Sequence, residues 1–373
     1  MEVFQMGYGK GETIRVGIIG CGGIANGKHM PSIEQIKGVE MVAFCDIIKE
    51  RAESAKKRFG TPDAKVYTDY KELLADPTID DVHVCTPNRS HSFITVDALE
   101  AGKNVMCEKP MAINYAEAKK MLDAKNCSGK SLTIGYQNRQ VAEHRYLREQ
   151  AQKGRFGDIY YAKATAIRRR AVPTWGVFMN EYEQGGGPLI DIGTHSLDLT
   201  LWILDNYKPK YCVGTVYHKL ADLPAENRGN TWGDWKPEDF TVEDSAFGFI
   251  VMENGATINL ESSWALNSLD VREATLSFCG TKAGADLMSG LRINGVEDGR
   301  HYINKIEMSG GGVAFYEGDG DEDPSVREQR VWYRYLRGEG ELVVKPEQAI
   351  VVTQILEGIY ESAKSGNAFF FNN

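Results

Sequence analysis

A short apolar run, IRVGIIG (from Ile14), breaks directly into the turn GCGGIA, and no other stretch restricts the folding of this chain as much. Gly20, Gly22 and Ala25 fall at the spacing G-x-G-x-x-G/A between a buried strand and a helix. Each position answers a physical need. Gly20 permits the tight turn, Gly22 lets a pyrophosphate approach the backbone, and the small Ala25 lets helix and strand pack closely. The free N–H groups and positive dipole end of the helix then face the phosphates. A second apolar run, Val39 to Phe44, ends at Cys45-Asp46, where a carboxylate accepts hydrogen bonds from an adenosine ribose. The competing role for Asp46 is to cap a helix beginning near Lys49. Ile47 and Ile48 follow it, with no Arg or Ser ready for a 2′-phosphate, so NAD is expected rather than NADP.

Strand-like and helix-like segments then take turns. A helix is expected over Thr68–Asp76, a strand over Asp81–Pro87, a helix around Ser92–Ala101, a strand over Asn104–Pro110, a helix over Tyr115–Ala124 and a strand over Ser131–Tyr136. Such alternation predicts a doubly wound α/β domain, a parallel sheet covered on both faces. Ligands bind beyond the carboxyl ends of these strands. Those ends carry Gly20 to Gly23, Asp46, Thr86-Pro87-Asn88, Glu108-Lys109-Pro110 and Gln137. Lys109, placed between Glu108 and Pro110, is either a partly desolvated proton-relay group or a surface lysine paired with Glu108.

A second centre lies in GGGPLIDIGTHSLDLTLWIL (185–204). Three glycines and Pro188 precede Asp191, and His195 follows four residues later, at the start of an apolar helical pattern. A carboxylate beside an imidazole suits general acid/base work. The pair equally suits a helix cap with a packed histidine, and a metal-ligand pair is a third option, although no further His or Cys stands at ligand spacing.

With 373 residues the chain is expected to form two domains. Residues 1–13 read as an N-terminal arm, 14–136 as the dinucleotide-binding domain and 137–373 as a second domain. The net charge of -9 argues against nucleic acid and anionic membrane surfaces as partners. The apolar runs are too short to span a membrane and the start lacks the apolar core of a signal peptide, so a cytoplasmic location is expected. Seven cysteines without CxxC spacing read as buried free thiols, with no disulfide or metal site.

In the second domain IYYAKATAIRRR reads as one long strand, with Arg168 and Arg170 on one face and Arg169 on the other. Trp175 follows, and an aromatic ring beside arginines suits a sugar, although oligomer packing or surface ion pairs explain the arginines as well. Trp232 and Trp235, in the polar segment 221–240, read as a lid or pocket wall, or as a loop docked on another subunit. GDGDEDP (318–324) lacks the rest of a calcium loop and reads as a solvated turn.

GIIGCGGIA, TPN followed by His91, AGKNVMCEKPMA and GGGPLIDIGTHSLDL, in this order, resemble the glucose-fructose oxidoreductase and inositol dehydrogenase family, Gfo/Idh/MocA. The resemblance runs from about Ile14 to about Gly366 and takes in VEDSAFGFI, GATINLESSW and QAIVVTQILEGIYESAKSG. It implies an N-terminal Rossmann domain and a C-terminal α/β domain built on a large, mostly antiparallel open sheet, whose outer face often forms an oligomer interface. A homo-oligomer, dimer or tetramer, is therefore expected. It also implies a catalytic trio at Lys109, Asp191 and His195. Cofactor contacts are expected from Gly20, Gly22, Gly23, Ile24, Asp46, Thr86, Pro87, Asn88, His91, Glu108, Lys109 and Gln137. Substrate contacts are expected from Lys109, Arg168, Trp175, Asp191 and His195. The implied reaction moves a hydride between a secondary hydroxyl of a sugar, sugar derivative or cyclitol and a nicotinamide. The sequence leaves open whether Lys109 or His195 carries the proton. The alternative is an NAD-retaining glycoside hydrolase or lyase-type enzyme that oxidises the sugar transiently.

Overall fold

The computed structural model describes residues 12–308 and 322–371. The expected arm, up to residue 11, and the first four residues of the GDGDEDP turn lie outside the described residues. The chain divides into two compact units, residues up to 140 with 322–350, and 141–321 with 351–373. This division differs from a single boundary between 136 and 137 in that residues 322–350 group with the first unit. The returning helix, Pro324–Leu336, starts on an Asp323 cap that accepts from the Ser325 N–H. Its Trp332 and Tyr333 are buried against strand residues of the first unit, and both donate to the enclosed Asp81 carboxylate. No periodicity in the first 136 residues could announce a partner more than two hundred residues away.

The first unit holds a parallel sheet of six strands: β1 (Ile14–Ile19), β2 (Val39–Cys45), β3 (Lys65–Tyr67), β4 (Asp81–Val84), β5 (Asn104–Cys107) and β6 (Leu132–Ile134). Their order is β3-β2-β1-β4-β5-β6, so the winding reverses between β1 and β4. A ligand is held in the crevice at such a reversal. The strands are shorter than the apolar runs that announced them, because β4 and β5 stop before the polar residues Thr86 and Glu108. The edge strand β3 escaped the sequence reading. Three residues, an exposed Lys followed by half-buried Val and Tyr, carry no alternation to detect.

The second unit holds a nine-stranded sheet: β7 (Ile159–Ile167), β8 (Pro209–Tyr217), β9 (Ser245–Met252), β10 (Thr257–Ser263), β11 (Arg272–Gly280), β12 (Ala283–Asp286), β13 (Arg292–Glu297), β14 (Arg300–Lys305) and β15 (Phe369–Phe370). The order is β14-β13-β12-β11-β7-β10-β9-β8-β15. Only the β7–β10 pair is parallel and the rest are antiparallel. Alternate residues of the central strands, among them Ala162, Ala164, Ile250, Ile258 and Leu260, are buried, while Val213, Phe249 and Phe370 on the other face are exposed. The strand expected to run on to Arg170 ends at Ile167; the Arg168 N–H still donates to the Ser263 carbonyl at 2.8 Å, and Arg169 and Arg170 lie beyond the strand. Among the described residues no helix is long and apolar enough to cross a membrane. All seven cysteines are free; five are buried, and Cys127 and Cys279 are exposed, which corrects the expectation for those two.

Candidate active site

In the first unit the turn after β1 is fixed by packing. Gly20 has a φ of 91°, and a Cβ there would stand 2.7 Å from the Cys85 carbonyl oxygen, so no other residue fits without displacing backbone. At Gly22 and Gly23 the place of a Cβ is open. That combination, a turn closed on its protein side and bare on the other, fits a pyrophosphate approaching the backbone. Ile24, beside them, is exposed.

Asp46 ties this turn to the end of β2. Its Oδ2 accepts from the Cys21 N–H at 2.9 Å and its Oδ1 from the Ile48 N–H at 2.9 Å. Each carboxylate oxygen keeps a second lone pair, which leaves capacity for ribose hydroxyls. The helix Lys49–Phe59 has Ile48 at its N-cap with no side-chain cap, so the capping alternative for Asp46 is not what the structure contains. Thr86, Asn88 and Gln137 are half-buried at the same strand ends, and Pro87, exposed, precedes the helix Asn88–Glu100.

Two of the expected cofactor contacts have their side chains engaged within the first unit. His91 is enclosed, and its ring nitrogens face the carbonyl oxygens of Pro110 at 2.8 Å and Thr86 at 2.9 Å. Its ring lies between the loop after β4 and the residue following Lys109; burial lowers its pKa, and the neutral ring donates its one N–H to one of these two carbonyls. Glu108 likewise turns inward at 4% exposure. Its Oε1 accepts from Lys28 Nζ at 2.8 Å and from His29 Nε2 at 2.7 Å, and its Oε2 accepts from the Lys109 backbone N–H at 3.0 Å. Burial pushes the Glu108 carboxyl up, but Lys28 and then His29 outweigh it and hold the group well below the usual carboxylate range. The alternative pairing of Glu108 with the Lys109 ammonium is therefore replaced by a bond to the Lys109 backbone.

The network extends inward. Lys28 also pairs with Glu328 at 3.0 Å, and burial pushes the Glu328 carboxyl up to about 7. Burial lowers His29 to about 4, so its ring is neutral at pH 7. Its single N–H goes to the carboxylate, which leaves Nδ1 to accept from His83 Nδ1 at 2.8 Å. Lys28, His29, His83 and Glu328 were not singled out from the sequence. Their spacing has no motif, and the partners converge only once β4, β5 and the returning helix are in place.

In the second unit Asp191 lies on a single π-helical turn, Leu189–Gly193, that leads into the helix Thr194–Leu204. Wide turns of this kind inside helices recur at functional sites. His195 stands half-buried in the first turn of the following helix. The glycines ahead of the pair serve close approach: a Cβ at Gly187 would stand 2.1 Å from the Glu243 carbonyl oxygen. Glu243, buried, accepts from the Gly187 N–H at 2.7 Å, the Leu189 N–H at 3.1 Å and the Tyr360 hydroxyl at 2.9 Å. It satisfies the orphan donors at the start of this segment although it lies far along the chain. Burial raises its carboxyl to about 7 against these three donors. Asp191 Oδ2 accepts from the Trp264 indole N–H at 3.0 Å, which fixes the carboxylate's orientation. Glu243 and Trp264 were quoted in the sequence only as parts of strand-like segments.

Arg168 is engaged within the protein. Its Nε and Nη2 form a forked pair with Glu273 at 2.6 and 2.5 Å, and its guanidinium lies 5.1 Å from the Trp232 ring centre. Burial disfavours the charge, and the bonds to Glu273, then Asp191, outweigh it. The fork that would grip a ligand is thus closed on Glu273 in this structure. Trp175 is half-exposed. The two tryptophans of the 221–240 segment part company: Trp232 is exposed, whereas Trp235 is buried against Phe240 and donates to the Ala221 carbonyl.

Two family models match the chain. Residues 14–136 match the Gfo/Idh/MocA oxidoreductase family, NAD-binding Rossmann fold, and residues 144–286 match the Gfo/Idh/MocA C-terminal domain. The D-glucoside 3-dehydrogenase of Escherichia coli is 34% identical over 353 residues, covering 95% of this chain and 96% of that protein. An inositol 2-dehydrogenase of Salmonella typhimurium is 30% identical over 52% of this chain and 56% of its own length. A levoglucosan dehydrogenase solved with NADH shares the fold, with a TM-score of 0.81 and 20% identity over 97% of this chain and 100% of that one. The glycine turn, the EKP segment and the Asp191–His195 helix start thus sit in the two domains that these models describe, and the chain belongs to the Gfo/Idh/MocA family of oxidoreductases, with an NAD-binding Rossmann domain.

Proposed function

We propose that the protein oxidises a secondary hydroxyl of a glucoside or closely related sugar, with NAD as the hydride acceptor. The observation that carries this reading is the near end-to-end match to the D-glucoside 3-dehydrogenase. The relatives named above are dehydrogenases, which favours net oxidation over transient oxidation by an NAD-retaining glycosidase or lyase-type enzyme.

The bound nicotinamide supplies the hydride acceptor, and the chain's own residues do the rest. Gly20, Gly22, Gly23 and Ile24 receive the pyrophosphate, Asp46 the adenosine ribose, and Thr86, Pro87, Asn88 and Gln137 flank the remainder. His195 accepts the hydroxyl proton as general base. Lys109 donates a hydrogen bond to the same oxygen and stabilises the charge that develops there. Asp191, oriented by Trp264, holds a substrate hydroxyl. NAD is preferred to NADP because Asp46 would repel a 2′-phosphate and its neighbours Ile47 and Ile48 are exposed apolar residues.

Exposed Val213, Phe249 and Phe370 on one face of the nine-stranded sheet support a homo-oligomer that buries this face. Seven free cysteines suit the reducing cytoplasm. The test is NADH formation by purified protein with NAD and a panel of glucosides, free hexoses and inositols. Turnover of glucosides well above that of inositols supports the reading, and turnover of inositols alone overturns the substrate class. Release of free glucose without net NADH would favour the glycosidase.

A further inference from the structure

Resting on the reading of this protein as a sugar dehydrogenase, we infer that Trp175 and Trp232 form a second-ring subsite. It takes the uncharged aglycone or second sugar of a glycoside whose first ring is oxidised at Asp191 and His195. Trp175 is 50% and Trp232 41% exposed, and their ring centres lie 4.9 Å apart at an interplanar angle of 82°. Two large rings standing nearly at right angles form an open corner with two apolar walls. Phe178, 5.8 Å from Trp175, backs the first wall, and Arg168 backs the second. Isolated apolar side chains on a surface are common, but a paired, half-exposed tryptophan corner retains apolar surface that a ligand can cover.

The corner is built before any ligand arrives. Asn230 copies a strand neighbour: its Oδ1 accepts from the Val172 N–H at 2.8 Å and its Nδ2 donates to the Val172 carbonyl at 3.0 Å. The Thr231 N–H and hydroxyl both donate to the Arg170 carbonyl, and the Thr174 hydroxyl donates to the Trp232 carbonyl. These bonds pin the segment carrying Trp232 to the segment carrying Trp175, so ligand binding does not have to order either ring.

Position and charge narrow the occupant. Phe178, which backs Trp175, packs on the apolar cluster that holds Ile192 and Trp264, and the Trp264 indole donates to Asp191, so the corner borders the same cluster that orients the carboxylate of the candidate catalytic pair. A substituent on a ring held at Asp191 would extend toward this corner. The Arg168 charge is closed by its fork to Glu273, and Arg170 is held by Asn267. Neither guanidinium is offered to a carboxylate or phosphate, which favours a neutral ring whose C–H face or π face lies on indole.

The test compares methyl glucoside with phenyl glucoside on the full chain, by kcat/KM with NAD and by calorimetric binding in the presence of NADH. Trp175→Ala is expected to lower both quantities about tenfold or more for phenyl glucoside and less than about threefold for methyl glucoside, with Trp175→Phe close to wild type. Equal losses on the two glycosides would overturn the subsite. So would a change of oligomeric state in Trp175→Ala, read by sedimentation, because the rings would then serve a subunit contact. The two readings fail separately. If wild type forms no NADH with any sugar, the dehydrogenase reading falls. The calorimetric difference between the two glucosides then still decides whether the corner binds a ring.

Discussion

Glu108 and Glu243 perform the same task in the two units and titrate in opposite directions. Each is a buried carboxylate that holds backbone N–H groups of a motif: Glu108 that of Lys109, Glu243 those of Gly187 and Leu189 ahead of Asp191. Glu108 is surrounded by Lys28 and His29 and stays well below the usual carboxylate range despite burial. Glu243 is held by neutral donors, and burial pushes it up to about 7. The lysine is thus mounted on a fully charged support that is fixed across the physiological pH range. The Asp191–His195 helix start is mounted on one that titrates within it.

The largest effect tests what the two supports carry. Replacing either His195 or Lys109 by Ala is expected to lower kcat by about a hundredfold to ten-thousandfold while the Kd for NAD moves less than about threefold. Equal loss of cofactor affinity, measured by calorimetry, would make both residues structural. Next comes the charged support. Glu108→Ala leaves Lys28 with only Glu328 in a closed interior, and a loss of about 3 to 5 kcal/mol in urea unfolding is expected. A loss below about 1 kcal/mol would show that the network relaxes or hydrates. Asp46→Ala is expected to weaken NAD about tenfold to a hundredfold and NADP far less, by fluorescence titration of both cofactors. An unchanged preference removes Asp46 from the ribose.

The smallest effect sharpens the contrast directly. A carboxyl raised to about 7 when folded binds its proton more tightly than in the unfolded chain. Its contribution to stability is therefore complete below the ordinary Glu value and lost as pH rises through about 7. The difference in unfolding free energy between wild type and Glu243→Gln should fall from pH 5 to pH 8, with a slope of at most about 1.4 kcal/mol per pH unit. A flat difference would show that the three donors already keep Glu243 ionised. Subtracting the variant cancels the parallel titration of Glu328, which burial also pushes up to about 7.

The parts of the molecule that the sequence announced are those whose signal is local. The strand-turn-helix around Gly20 must place small residues at fixed spacing, and the strand-helix alternation up to Ile134 repeats one packing unit. The EKP and D-x-G-x-H segments are equally readable as motifs. What failed was the assignment of neighbours. Glu108 and His91 lie inside readable motifs, and their side chains turn inward to partners that only folding supplies. Glu243 and Trp264 support the second motif from the residues just before β9 and just after β10, whose own pattern reports burial and nothing else. Arg168 was expected to meet a ligand, but Glu273, more than a hundred residues on, closes its fork. A polar residue's type shows what it can bond to, whereas its partner is decided by tertiary structure.

The most direct test of the account is the absorbance of NADH after mixing the purified chain with NAD and a glucoside, run beside Lys109→Ala and His195→Ala. Steady NADH formation by wild type, and its loss in both variants at unchanged cofactor affinity, is the predicted result. Free glucose released by wild type without NADH, or full activity in either variant, would contradict it.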